Sequence, residues 1–167
     1  MKKLILLLFV FQSVLINAQD AESHFKKAEL LYSNDEIVDA LKEYTKAIEI
    51  DPTHMNSYLR RGFAYNMMEN YEESAKDFSK VIEINPKHIW AYISRGSCYN
   101  KLKKYKEALD DFNKAISIDP ENQEAYNNRG WAKKFLDDTD GACEDWNKSK
   151  KLGNGEAKII LKNNHCK

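Results

Sequence analysis

Proline occurs three times in the 167 residues, as Pro52, Pro86 and Pro120, and successive prolines stand 34 residues apart. A proline removes a backbone donor and clashes with the preceding turn, so each marks a place where a helix has to stop. Stops at equal intervals imply one supersecondary unit copied along the chain. Other residues keep the interval: Gly62, Gly96 and Gly130; Tyr58, Tyr92 and Tyr126; Phe78, Phe112 and Trp146; Ile50, Ile84, Ile118 and Leu152. Phasing on the prolines gives four units, over residues 21–54, 55–88, 89–122 and 123–156. Each splits into two amphipathic helices, A over about the first 14 residues and B ending before the proline, as in Met55–Met68 and Glu72–Ile84. Polar pairs divide A from B: Asn34-Asp35, Glu69-Asn70, Lys103-Lys104 and Asp137-Asp138.

The recurring residues have packing roles. Gly62, Gly96 and Gly130, with Ala28 in the first copy, leave room where A and B approach closest. Ala40, Ser74, Ala108 and Ala142 are the small partners on B, and Tyr44, Phe78, Phe112 and Trp146 fill the wedge between the helices. One helix pair cannot cover its own apolar face, so stacking has to supply the core and the end copies have to differ. They do: His24 replaces the first tyrosine, Lys133 the last second-position tyrosine, and Gly153-Asn154-Gly155 stands in place of a proline. Residues from about 156 to 165 are predicted to form a capping helix, with Ile159, Ile160 and Leu161 toward the last unit.

These residues resemble the tetratricopeptide repeat, W-x2-L-G-x2-Y…A-x3-F…P. The third copy reads Tyr92-x2-Arg95-Gly96-x2-Tyr99, Ala108-x3-Phe112 and Pro120, and the second Tyr58-x2-Arg61-Gly62-x2-Tyr65, Ser74-x3-Phe78 and Pro86. The resemblance implies an all-α, right-handed solenoid of antiparallel helix pairs forming a single domain over residues 19–167. One departure recurs. Arg61, Arg95 and Arg129 stand where the family usually has leucine, and Asp77, Asp111 and Asp145 follow 16 residues later. Lys27 and Glu43 occupy those places in the first copy, so an A-to-B ion pair is predicted inside every unit. Read as surface pairs, these contribute only about 0–1 kcal/mol each and set registry more than stability.

The first 18 residues differ in kind. Lys2 and Lys3 precede an apolar run from Leu4 to Ile16, and Asn17-Ala18 leads into Gln19-Asp20. That order reads as a secretory signal peptide over residues 1–18, cleaved after Ala18, in a bacterial style that directs the product to the periplasm, the cell envelope or beyond. The run is interrupted by Gln12 and Ser13 and is shorter than the roughly 20 residues needed to span a bilayer, so no membrane insertion follows cleavage. Formal net charge is zero, and there is no basic field to hold a phosphate backbone, which argues against nucleic acid.

No glycine-rich phosphate loop, G-x-S-x-G elbow or H-E-x-x-H run is present. His54 and His88 are a full copy apart and read as solvated loop residues, and acidic pairs such as Asp110-Asp111 read as solvated faces. The reading is therefore non-enzymatic, with no catalytic residue, metal or cofactor implied. Cys98 aligns with Ala64 and Ala132 and reads as a buried, inert thiol. Cys143 on the last helix B and Cys166 near the end of the cap are candidates for a disulfide, which export to an oxidising space would permit.

Function is sought on the side of helix A released from packing. By resemblance to the family, that side lines a concave groove for a protein or peptide partner. In the first two copies it holds Phe25 and Glu29, then Asn56, Leu59, Arg60, Phe63 and Met67. In the last two it holds Trp90, Ile93, Ser94 and Ser97, then Asn127, Asn128, Trp131 and Phe135. Aromatic anchors beside asparagines suit an apolar or aromatic segment with hydrogen bonds to its backbone. The carboxylate clamp of chaperone-binding relatives is absent, because Phe25, Glu29, Arg60, Trp90 and Ser94 stand at its places. The alternative is a structural or self-associating subunit of an envelope assembly; the sequence leaves the oligomeric state open.

Overall fold

The structure, a computed structural model, describes residues 19–166. The signal peptide expected over residues 1–18 lies outside them. The described residues form α1 (residues 19–33), α2 (Ile37–Ile50), α3 (Met55–Met67), α4 (Tyr71–Ile84), α5 (Ile89–Lys101), α6 (Tyr105–Ile118), α7 (Gln123–Phe135), α8 (Thr139–Lys151) and α9 (Ala157–Asn163). No strand occurs among them. Each helix packs on the next to build an α-solenoid, and α5 also touches α7 directly.

The punctuation is more than proline. Asp51, Asn85 and Asp119 end α2, α4 and α6 in extended conformation. Their side-chain oxygens accept from Thr53, Lys87 and Glu121 backbone N–H at 2.9, 3.1 and 3.0 Å, bridging the proline in an Asx turn. The residue that starts the next helix then caps it. His54, His88 and Asn122 accept from the N–H of Ser57, Ala91 and Ala125 at 3.3, 3.1 and 3.0 Å. This corrects the reading of His54 and His88 as merely solvated: both are half-buried caps, and the imidazole takes the role asparagine has in the fourth unit.

Inside each pair the close approach is literal. A Cβ built on Gly62, Gly96 or Gly130 would stand 3.1, 2.8 or 2.5 Å from the ring of Phe78, Phe112 or Trp146. Those rings are fully buried, as are Tyr44 and the small residues Ala40, Ser74, Ala108 and Ala142. The Ser74 hydroxyl also donates to the Gly62 carbonyl at 2.8 Å.

The arginine–aspartate pairs form a ladder. Arg95 Nε and Nη2 donate to the two Asp111 oxygens at 2.8 and 2.6 Å, Nη1 donates to Ser79 on α4 at 3.0 Å, and the guanidinium carbon lies 5.9 and 5.8 Å from the Tyr92 and Tyr99 ring centroids. Arg61 repeats this with Asp77, Thr45, Tyr58 and Tyr65, and Arg129 with Asp145, Asn113 and Tyr126. Each arginine thus ties its own pair together and reaches back to the helix before. The carboxylates are buried at 3–5% exposure, so the surface-pair reading is corrected to a buried, bidentate one. In the first unit Glu43 takes this place, bonded by Lys46 at 2.9 Å, His24 at 2.6 Å and Lys27 at 3.1 Å.

At the far end α9 folds back on α8. Ala157 is fully buried and Leu161 is buried against Ala142 and Trp146, whereas Ile159 is 63% exposed, against the expectation that it faces the last unit. A seven-residue helix has one inward stripe, and Ala157 and Leu161, four apart, occupy it. A disulfide joins Cys143 to Cys166 with Cα atoms 5.5 Å apart.

Candidate functional site

Side-chain bonds between alternate helices define one face of the stack. Arg60 Nε meets Glu29 at 3.3 Å, Asn66 donates to the Cys98 sulfur at 3.4 Å, and Asn100 donates to the Asn128 carbonyl at 3.2 Å. Asn128 in turn donates to the Ser97 hydroxyl at 3.3 Å. These bonds run α1–α3, α3–α5 and α5–α7, while among the described residues none joins one even helix to the next. The odd helices therefore lie side by side and carry the predicted groove residues.

Those residues fall into three groups. Trp90, Met67 and Phe135 are 52%, 57% and 52% exposed, and Asn56 and Arg60 are exposed as well. Leu59, Ser94, Asn127, Asn128, Phe25, Phe63 and Trp131 are half-buried. Three of these use one ring face for packing: Phe25 on Tyr44 and His54, Phe63 edge-on to Phe78 at 5.1 Å, and Trp131 edge-on to Trp146 at 5.1 Å. Ile93 is a correction. At 1% exposure it belongs to the core with Ala125 and Phe112, because the fifth position of α5 points into the seam with α7.

The N-terminal half of the face is closed by its own bonds. Glu29 is engaged by Arg60 and by the buried Tyr44 hydroxyl, whose pKa burial and that carboxylate push up. The Tyr32 hydroxyl meets the Met67 sulfur at 2.7 Å. Glu43 is held at a pKa of about 2 by its bonds to Lys46, His24 and Lys27, against the opposing effect of burial. The Cys98 thiol is fully buried and pushed up by burial.

The C-terminal half opens instead. A cleft of about 540 Å3 lies between the ends of α5 and α7, lined by Ser97, Asn100, Lys101, Lys103, Tyr105, Asn128, Trp131 and Phe135. The Tyr105 and Phe135 rings stack at 4.9 Å and 18° between planes, with Trp131 6.2 Å from Phe135. Tyr105, Asn100, Lys101 and Lys103 escaped the sequence reading. Tyr105 sits on a helix B, outside the face under consideration, and the other three flank the turn. The run of lysines around that turn was the available signal. On the even-helix side a smaller cleft of about 190 Å3 is lined by Ala75, Ser79 and Tyr99, its single aromatic side chain. Among the described residues no cluster of three metal-binding side chains occurs, and no helix is long and apolar enough to cross a membrane.

Tetratricopeptide-repeat profiles match residues 21–54, 56–88, 89–122 and 112–144, which together span most of the chain. The chain belongs to the tetratricopeptide-repeat family. A comparison with curated proteins gives no match. Among solved structures, this tetratricopeptide-repeat protein superposes on MamA from Desulfovibrio magneticus RS-1 with a TM-score of 0.75 at 21% identity, covering 80% of this chain and 75% of that one. The Arabidopsis OM64 tetratricopeptide-repeat domain gives 0.66 at 27% identity, covering 71% and 98%. The first such domain of Spaghetti (RPAP3), bound to the HSP90 peptide SRMEEVD, gives 0.68 at 24% identity, covering 72% and 95%.

Proposed function

We propose that this protein is a non-catalytic adaptor of the bacterial cell envelope that holds a segment of a partner protein along its odd-helix face. The observation that carries the reading is the contrast between the two sides of those helices. One side is locked into the arginine ladder and the buried rings. The other keeps Trp90 half exposed at the start of α5, and Met67 and Phe135 half exposed at the far ends of α3 and α7. Large apolar groups left exposed on one side of the stack, with Phe135 gathered beside Tyr105 and Trp131, suit an interaction surface. The peptide in the RPAP3 structure lends support by family analogy. The partner chemistry differs, because the carboxylate-clamp places hold Phe25, Glu29, Arg60, Trp90 and Ser94, and Glu29 and Arg60 neutralise one another.

Export is supported by the leader at residues 1–18 and by the Cys143–Cys166 disulfide, which persists in an oxidising compartment. Cell fractionation with N-terminal sequencing tests it: the mature chain is expected to begin at Gln19 in the envelope fraction, and a cytoplasmic chain beginning at Met1 refutes it. Partner capture from envelope extract tests the adaptor reading. Trp90→Ala/Phe135→Ala is the informative variant, because both rings are about half exposed, and circular dichroism checks that removing the Phe135–Tyr105 stack leaves the fold intact. Equal catches by variant and parent sink the reading. Sedimentation separates the alternative: a dimer that Trp90→Ala dissolves assigns this face to self-association.

A further inference from the structure

The four turns inside the helix pairs share one backbone shape, with Asp35, Glu69, Lys103 and Asp137 at φ of 65, 58, 60 and 65°. Three of these turns are acidic and the third alone is basic. Lys101, Lys103, Lys104 and Lys106 fall within six residues, and among the described residues none has an ion-pair partner. On α2 and α4, by contrast, Lys42, Lys46, Lys76 and Lys80 are all paired within their own helix. Two of the unpaired lysines, Lys101 and Lys103, line the 540 Å3 cleft together with Tyr105, Trp131 and Phe135. Asn100 lines it too, and its side-chain oxygen is buried without a hydrogen-bond partner.

We propose that this cleft is an anchor subsite for an aromatic side chain flanked by carboxylates, supplied by an acidic segment of a protein partner. The inference rests on the adaptor reading above and adds the chemistry of the segment. The stacked Tyr105–Phe135 pair and Trp131 offer ring faces and edges to an incoming aromatic group. Lys101 and Lys103 place two uncompensated positive charges at the rim, where flanking Asp or Glu side chains complement them. The chain's own leader is the wrong occupant, since residues 1–18 carry Lys2 and Lys3 and no acid. A nucleic-acid strand also pairs rings with lysines, but the basic patch is confined to one turn with the acidic Asp137-Asp138 turn in the next pair, so nothing tracks a phosphate backbone.

The test pans a random 12-residue peptide library on the purified protein and titrates the enriched peptides against Lys101→Glu/Lys103→Glu and Trp90→Ala. Glu69 already occupies the position equivalent to Lys103, so the charge reversal keeps the turn, and circular dichroism confirms folding. The expected result is enrichment of sequences with an aromatic residue beside Asp or Glu. Their affinity should fall at least about tenfold on the charge-reversed variant and several-fold between low and high salt. Enriched sequences without acids, or with affinity unchanged on that variant but lost on Trp90→Ala, overturn the subsite and leave the adaptor reading standing. If no sequence is enriched, both fall. A single-stranded oligothymidine that displaces the peptides, or binds where none does, reassigns the cleft to nucleic acid and overturns the proposal.

Discussion

Arg95→Gln and Asp111→Asn, made singly and together, probe the ladder that distinguishes this chain from the usual repeat. Two charge-assisted bonds at 2.8 and 2.6 Å join a carboxylate 6% exposed to a guanidinium 20% exposed. Burial pushes the Asp111 carboxyl pKa up and the Arg95 bonds oppose that rise, so desolvation offsets part of the attraction while removal of one partner is costly. Breaking a fully buried pair costs about 3–5 kcal/mol and an exposed one contributes about 0–1. With the arginine tip still touching water, each single variant is expected to lose about 2–3 kcal/mol, with a coupling of about 1.5–2 kcal/mol. That corresponds to a fall of roughly 5–10 °C in Tm.

Urea denaturation followed by circular dichroism measures this, and the partly exposed Lys80–Glu83 contact serves as the uncoupled control. Arg95→Gln should be the worse single change, because it strands a buried carboxylate. Its folded pKa then lies above the unfolded value, so the folded state binds the extra proton. The defect should accordingly shrink as pH falls from 7 toward 5. Additivity of the two singles to within about 0.5 kcal/mol refutes the argument.

Other outcomes follow from the same geometry. Glu43, with a folded pKa of about 2 against an ordinary 4.5, contributes stability that is complete above pH 4.5 and is lost as pH falls toward 2. Glu43→Gln should flatten the acid limb of a stability–pH curve in that window, and an unchanged curve contradicts the assignment. Gly96→Ala puts a methyl 2.8 Å from Phe112 and should cost about 1–3 kcal/mol despite the better helix propensity of alanine, with partial rescue by Phe112→Leu; thermal melts decide it. Intact mass after alkylation of the denatured, unreduced chain should show one alkyl group, on Cys98, and three groups remove the disulfide. Cys143→Ser should lower stability by up to about 3 kcal/mol, with proteolysis beginning at α9.

The number of helix pairs, the glycine–aromatic contacts and the arginine–aspartate partnership were legible in one dimension because each recurs at a fixed interval. Repetition is itself the signal: every copy solves the same packing problem with the same residues. Positions that do not recur carry no such information. Nothing in the spacing distinguishes Ile93, which closes the α5–α7 seam, from Trp90, which faces solvent on the same helix. Likewise His54 and His88 look like loop residues until the helix they cap is drawn, and Ile159 looks inward until the seven-residue cap is placed. The prolines alone predict where each B helix ends; the Asx turns and caps around them come from backbone geometry that composition does not record.

The ladder's strength and the cleft belong to the tertiary structure. Sequence pairs Arg95 with Asp111, but only burial at the junction of three helices turns an ordinary ion pair into a costly one to break. Tyr105 and Phe135 are 30 residues apart, on a B helix and on the following A helix, and become one surface only when the pairs stack. Local periodicity sets the face of each helix, whereas the cleft depends on how neighbouring helices end against one another.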